Sequence, residues 1–390
     1  MSNYKYTMRD INFWRITISL ALASFIVFSY LYVFQSLLPF FGDYFSISST
    51  QASFLISFTI LGLIVGLFIL GFISDRYGRT PVIYFSLFGS VLPMFLIPLT
   101  DSFYLILVLR FIQGLAIAGL PASAVAYISE EIDFRNAKIA VSFYISSNAI
   151  GGMLGRVFSS YLTDVYSWEF AFYTLGIVGS LVAISILFIL PKSQHFVSSS
   201  ASIKSDLSAF KFHLNNPVLI ILFGLGIILQ FSFTGVWTYI PFHLEQAPYN
   251  LSIQAIGYLF FAYGFGVVGA PLSSTLANKF GLNNVRIAGI IILTIGLLLT
   301  MSQPLTLIII GLCLTCFGFF TAHSLTAASV GESAEHHKGT ASSLYFIAYY
   351  IGVAIGSSAL GLFYENLNWI IFVLFISLMP ISYVIFIRTK

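Results

Sequence analysis

TQASFLISFTILGLIVGLFILGFISDRYGRTPVIYFSLFGSVLPMFLIPLT, residues 50–100, is two apolar runs joined by a short charged turn. The runs cover about 50–73 and 81–100. Each is long enough to cross a bilayer as a helix, which takes about 20 apolar residues. A spanning β-strand would be about half that length and would alternate polar with apolar. Neither run alternates, so this stretch is a helical hairpin in lipid with SDRYGRT at its turn.

The same pattern extends to both ends of the chain. Further runs lie near 14–40, 104–128, 138–162, 168–190, 215–241, 253–276, 285–302, 305–328, 340–363 and 367–387, which makes twelve spans. Only 8% of residues are charged, 58% are hydrophobic, and mean hydropathy is +0.95. A soluble domain carries roughly 25% charged residues because its surface faces water. The expected class is therefore an all-α membrane protein. Near the N-terminus, Arg15 followed by ITISLALAS resembles a signal peptide, but the apolar run continues to Phe41. That length predicts an uncleaved first span. Cys313 and Cys316 form C-x-x-C inside an apolar run with no nearby cation to stabilise a thiolate, so they are expected to be packing residues.

Basic residues orient the spans, because Lys and Arg collect in cytoplasmic loops. With the N-terminus inside, the inner segments take Lys5, Arg9, Arg15, Arg76, Arg79, Arg135, Lys138, Lys192, Lys204, Lys211, Lys279, Arg286, Lys338, Arg388 and Lys390. Outer loops take none, and Arg110 and Arg156 fall within spans. Asp43, Asp101, Asp164, Glu169, Glu245 and Glu365 fall outside, which the rule tolerates. Both termini are thus expected in the cytoplasm of a multi-pass cell-membrane protein. The net charge of +3 belongs to loops facing an anionic leaflet, not to nucleic-acid binding.

The chain also repeats itself. At a spacing near 201, Glu131 answers to Glu332, Tyr144 to Tyr345, Gly151 to Gly352, Gly155 to Gly356 and Trp168 to Trp369. SDRYG (74–78) answers to ANKFG (277–281), and Pro39 to Pro241. Two pseudo-symmetric six-helix bundles follow, over 1–190 and 215–390, joined by a Ser-rich cytoplasmic linker at 191–214. Parallel halves of this kind enclose a midplane site and rock about it, which is the design of a secondary transporter.

With these features the sequence resembles the major facilitator superfamily over its whole length. GFISDRYGRT (71–80) is similar to the family's loop signature, with Gly71, Asp75, Arg76, Gly78 and Arg79 at the defining positions. The resemblance implies a cytoplasmic gate. Gly71 is expected to permit close helix approach, Gly78 to make a tight turn, Asp75 to face a helix N-terminus, and Arg76 and Arg79 to form ion pairs. STLANKFG (274–281) is a degraded copy in which Asn278 replaces the acid. RFIQG (110–114) resembles the fourth-helix signature of proton-linked antiporters, with Arg110 and Gln113 on one helix face. Gly151, Gly152 and Gly155 resemble the glycine-rich fifth helix of exporters, without its Gly-Pro pair. Tight packing alone would equally explain them. HKGTASSLYFIAYYIG (337–352) resembles bacterial drug- and sugar-efflux permeases.

Charge inside the membrane points to substrate. Arg110 and Arg156 sit at similar depth, with no Asp or Glu at that depth, and the first span offers Gln35, Tyr30 and Tyr32 instead of a carboxylate. An intramembrane charge is functional by default. Two guanidinium groups favour anionic, zwitterionic or neutral small solutes over lipophilic cations. Gln230, Trp237, Asn148, Tyr345 and Tyr349 are further candidates for the pathway. Proton coupling would draw on Asp75, His323, Glu130 or Glu131; an unperturbed His titrates near pH 6.5. Glu130 and Glu131 equally fit ordinary loop charges, and His323 a packing role.

No catalytic pair, phosphate loop, cofactor motif or metal motif appears at membrane depth. An enzyme or an ATP-driven pump is not expected. The alternatives to a proton-coupled exporter are an uptake permease of the same fold and a non-transporting membrane scaffold. A monomer is the expected state, since one chain holds a whole pathway.

Overall fold

The protein is described by a computed structural model covering residues 5–198, 203–334, 336 and 338–388. Lys390 and His337 lie outside these residues. The described chain is helical throughout. In order, the helices are α1 (Ile11–Tyr32), α2 (Leu38–Tyr44), α3 (Ser49–Tyr77), α4 (Arg79–Leu96), α5 (Phe103–Ile117), α6 (Gly119–Glu131), α7 (Phe134–Val165) and α8 (Trp168–Ile189). They continue as α9 (Ile203–Leu214), α10 (Pro217–Glu245), α11 (Ile253–Leu259), α12 (Tyr263–Phe280), α13 (Leu282–Leu299), α14 (Leu305–Ser333), α15 (Lys338–Asn366) and α16 (Trp369–Arg388).

With α9 set aside as part of the linker, joining α1 to α2, α5 to α6 and α11 to α12 across their short breaks gives twelve helical segments. Ten of these are long and apolar enough to cross a membrane and α16 has a shorter apolar stretch, consistent with the twelve spans expected from hydropathy. One of them, α7, falls short of the apolarity of its neighbours because it carries Arg135, Lys138, Asn148 and Arg156 among its 32 residues. Two details differ from expectation. The linker is not uniformly irregular: Ile203–Leu214 forms a helix. The first span is broken, with a 3-10 turn at Gln35–Leu37 between α1 and α2.

By compactness the chain divides into two units. Unit 1 comprises residues 1–37 and 58–200, and unit 2 comprises Leu38–Ser57 and 201–390. The segment Leu38–Ser57 therefore packs with unit 2, although sequence alone groups it with the first bundle. Within unit 1, α7 lies along α1, and α4 packs against α5, α6 and α8. Within unit 2, α15 lies along α10, and α14 packs on α12 and α13.

The outer faces are apolar, as lipid requires. Leu61, Val65 and Ile69 stand exposed on successive turns of α3, and Ile177, Leu181, Ile184 and Phe188 do so on α8. Such contiguous apolar exposure is not stable in water. Polar groups are turned inward: Ser90, Arg110, Gln113 and Ser159 are all fully buried. Helices in lipid gain little from burying more apolar surface, so close packing at small residues holds them together. A Cβ on Gly151 would lie 2.2 Å from the Phe25 carbonyl oxygen, and one on Gly155 would lie 2.6 Å from Ser29 Cα. Their repeat partners behave alike: Gly352 would meet the Ile227 oxygen at 2.6 Å, and Gly356 the Phe231 oxygen at 2.7 Å. The α1–α7 and α10–α15 pairs are thus the same contact built twice. Cys313 and Cys316 are free thiols, half-buried and buried respectively on α14.

Candidate functional site

In unit 1 the charged turn is only one residue long. α3 ends at Tyr77, α4 starts at Arg79, and Gly78 reverses the chain with φ 108°, which side-chain-bearing residues avoid. Gly281 does the same between α12 and α13 with φ 86°. Arg79 is nearly buried. It donates to Glu130 through Nε at 3.0 Å and Nη2 at 2.8 Å, and to Ser74 Oγ at 3.1 Å. It also forms an ion pair with Asp75 one turn back. Asp75 therefore answers Arg79 directly. Arg76 donates to the Phe72 carbonyl at 3.3 Å, with its guanidinium 5.5 Å from the Phe72 ring. Gly71 does not serve close approach, since a Cβ there would meet nothing within 4 Å.

Glu130 and Glu131 are not ordinary loop charges. Glu130 completes the Arg79 cluster. Glu131, on the next position of α6, is fully buried. It accepts from Ser193 Oγ at 2.7 Å and from the amides of Gln194 at 2.7 Å and His195 at 2.9 Å. His195 Nδ1 lies 3.0 Å from its other oxygen. Tyr127 Oη donates to the Pro191 carbonyl, and the Phe196 ring lies 5.6 Å from the Arg79 guanidinium. Residues 191–198 are in this way strapped over the charged turn. A buried carboxylate is stable only when its lone pairs are filled, and here backbone amides fill them. Sequence did not disclose this, because the partners are 62 to 64 residues away.

Both intramembrane arginines address the break in the first span. A helix end leaves its last carbonyls without intrahelical donors. Arg110 supplies them: Nη1 donates to the Tyr30 carbonyl at 3.0 Å and Nη2 to that of Leu31 at 2.9 Å. A cation at this end also opposes the helix dipole. Nη1 further meets Gln113 Oε1 at 2.5 Å, and Gln113 Nε2 donates to the Ser90 carbonyl at 2.8 Å. The guanidinium lies 4.8 Å from the Phe34 ring, and Arg110 is 0% exposed. Its hydrogen bonds close the end of α1 rather than line an aqueous cavity.

Arg156, 2% exposed, approaches the break from α7. Its Nε donates to Gln35 Oε1 at 2.8 Å, and Nη1 donates to the Gly152 carbonyl at 2.6 Å. The guanidinium sits 4.0 Å from the Tyr32 ring. Ser36 Oγ donates to the Arg156 carbonyl at 2.9 Å, and Ser159 Oγ to the Val33 carbonyl at 3.0 Å. A Cβ on Gly152 would come 3.3 Å from the Tyr32 ring and 3.4 Å from Arg156 Nη1, so this glycine keeps the space in which they stack. Gln35 and Arg156 are thus brought together, with Ser36 and Ser159 as partners that hydropathy gave no reason to single out. Asn148 lies half-buried about two turns earlier on α7.

Unit 2 gathers the other candidates into an aromatic cluster. His323 Nδ1 lies 2.8 Å from Tyr345 Oη, and its ring stacks on Phe319 and reaches Tyr349 at 4.9 Å. Trp237 is fully buried against Phe260 and Tyr263, with ring centroids at 4.8 and 4.9 Å. Phe233 stacks on Phe319 at 4.0 Å and links the two groups. Trp237 Nε1 and Gln230 Oε1 are buried without a hydrogen-bond partner among the described residues. Buried polar atoms of this kind call for water or a solute.

These features coincide with a known family. The Major Facilitator Superfamily profile matches residues 20–357 and again 231–390. An uncharacterised transporter of Buchnera aphidicola subsp. Schizaphis graminum (strain Sg) is 34% identical over 91% of this chain and 86% of its own length. The inner membrane transport protein YnfM of Escherichia coli (strain K12) is 34% identical over 92% of this chain and 86% of its own. Among solved structures, a D-xylose-proton symporter superposes with a TM-score of 0.77 at 16% identity, over 95% of this chain and 97% of that one. The chain belongs to the Major Facilitator Superfamily. It is a multi-pass membrane transporter for small molecules, and not an enzyme.

Proposed function

We propose that this transporter exports a small organic solute that is anionic, zwitterionic or neutral, by alternating access and in exchange for protons. The observation that carries the reading is Arg156. A guanidinium at membrane depth, held by the neutral side chain of Gln35 and flattened on Tyr32, is set up to trade an amide for a carboxylate. Arginine binds carboxylate through two parallel donors, and burial strengthens that pairing. A lipophilic cation would meet the same charge as repulsion.

In this reading the basic loops face the cytoplasm, as the distribution of Lys and Arg favours. Asp75, Arg79 and Glu130 act as the cytoplasmic gate cluster, and one chain works alone between two six-helix bundles. His323, hydrogen-bonded to Tyr345, is the candidate for proton coupling. Glu131 is committed to the strap and is set aside from that role.

The test is an untargeted comparison of solutes in medium and cells, with the protein overproduced against Asp75→Asn and Arg156→Gln controls. A solute carrying a carboxylate that accumulates in the medium only with the wild-type chain is the expected result. Uptake from the medium would reverse the direction, and a cationic solute would overturn the role of Arg156.

A further inference from the structure

The segment Leu38–Ser57 is continuous with unit 1 at both ends yet packs in unit 2. Its entry is the break after α1, and its exit is the uninterrupted helix α3. One face of α15 holds it. Glu365 accepts from the Thr50 amide at 2.7 Å and from Ser49 Oγ at 3.1 Å. One turn back on α15, a Cβ at Gly361 would lie 2.7 Å from Thr50 Cα. One further turn back, Ser357 Oγ lies 2.8 Å from Ser57 Oγ. Positions 357, 361 and 365 recur every fourth residue and so form a single stripe.

The chemistry of this stripe is that of a reversible contact. The N-terminus of α3 already has a local cap, in which Ser48 and Gln51 bond each other reciprocally: the Ser48 amide to Gln51 Oε1 at 3.1 Å and the Gln51 amide to Ser48 Oγ at 3.3 Å. That box leaves the Thr50 amide without a partner of its own, and Glu365 takes it from another helix. A carboxylate at a helix N-terminus also gains from the dipole. Along this stripe the groups beneath it are small, Gly361 and the Ser57–Ser357 pair; elsewhere in the segment α2 packs on α10, where a Cβ at Gly42 would lie 3.6 Å from the Phe242 ring. Glu365 itself is exposed on the wall of a polar cavity of about 480 Å³, which Asp43, His243, Glu245 and Trp369 also line.

We propose that Glu365 is the latch of a gate formed by Leu38–Ser57, holding that segment on α15 in the state described and releasing it when the transporter opens at this end. This inference rests on alternating access as proposed above. The test replaces Cys313 and Cys316 with Ala, Ser57 and Ser357 with Cys, and adds a protease site in the linker, so that a 57–357 disulfide keeps the two cleaved halves together on a gel. In purified protein in nanodiscs, the rate of oxidative cross-linking reads how much of the time the gate is closed. Glu365→Gln, which keeps the shape and loses the charge, is expected to slow cross-linking about threefold. Glu365→Ala is expected to slow it about fivefold to tenfold. Unchanged rates in both variants would overturn the latch; if the alanine variant does not fold, the glutamine variant alone decides. Cross-linking that depends on Glu365 in a chain that moves no solute would keep the latch and sink the transport reading. Solute export with cross-linking indifferent to Glu365 would do the reverse.

Discussion

The two halves of this transporter share one skeleton and bury different chemistry against it. In the first, Gly151 and Gly155 let α7 lie on α1; in the second, Gly352 and Gly356 let α15 lie on α10 in the same way. Arg156 then follows the first pair, whereas Ser357 follows the second. The first half uses its guanidinium groups to hold a broken helix. The second fills the corresponding interior with Trp237, Phe319, His323 and Tyr345, and uses Ser357 against Ser57. Duplication preserved what packing demands and released what charge decides. One half buries guanidinium groups, and the other buries aromatic rings.

The largest effect should come from Arg110→Leu. It strands the Tyr30 and Leu31 carbonyls together with Gln113 in a dry interior, at about 1–3 kcal/mol for each orphaned group. Thermal unfolding of the purified variant is expected to show a loss of at least about 3 kcal/mol, or no monodisperse protein at all. Survival at wild-type stability would mean that the helix break does not depend on this charge. The skeleton itself is tested next, by Gly151→Val and Gly352→Val in parallel. Both should lose about 1–3 kcal/mol through overpacking against a neighbouring backbone. A loss confined to one of them would break the equivalence of the two helix pairs.

Function should separate the halves where stability does not. Arg156→Gln keeps hydrogen-bonding capacity beside Gln35, so folding should change little. Apparent affinity for an anionic solute should fall by about 2 kcal/mol, near thirtyfold. Equal loss for a neutral substrate of similar shape would argue that Arg156 acts through structure alone. Glu131→Gln should loosen residues 193–195 and raise limited proteolysis of the strap severalfold, consistent with about 1 kcal/mol of easier local opening. The smallest effect belongs to Gly71→Ala, expected within about 0.5 kcal/mol of wild type. Although Gly71 stands in the family signature, the space around it is open.

Much of this was readable from the chain. Apolar length fixed the twelve spans, because a bilayer leaves no other place for so few charges. The turn glycines Gly78 and Gly281 and the repeated packing glycines were visible as a spaced pattern. The importance of Arg110 and Arg156 was visible too, since a charge in lipid stands out against its neighbours. Gln35 and Gln113 were visible as polar residues of the same spans, but the backbone carbonyls of Tyr30, Leu31 and Gly152 that take the remaining bonds leave no mark in residue identity. Glu130 and Glu131 read as proton-coupling candidates or ordinary loop charges and Glu365 as an outer-loop acid, and each ends on a partner far along the sequence: Arg79, the Ser193 hydroxyl with the Gln194 and His195 amides, and the Thr50 amide.

Sequence by itself therefore determined the solvent, the number of spans and the duplication, which depend on local composition and period. Tertiary structure decided where each charge finds its counterpart and which segment is held by which helix. Those depend on groups that only folding brings within 3 Å, and in a dry interior such contacts decide whether a charge stabilises the protein or disrupts it.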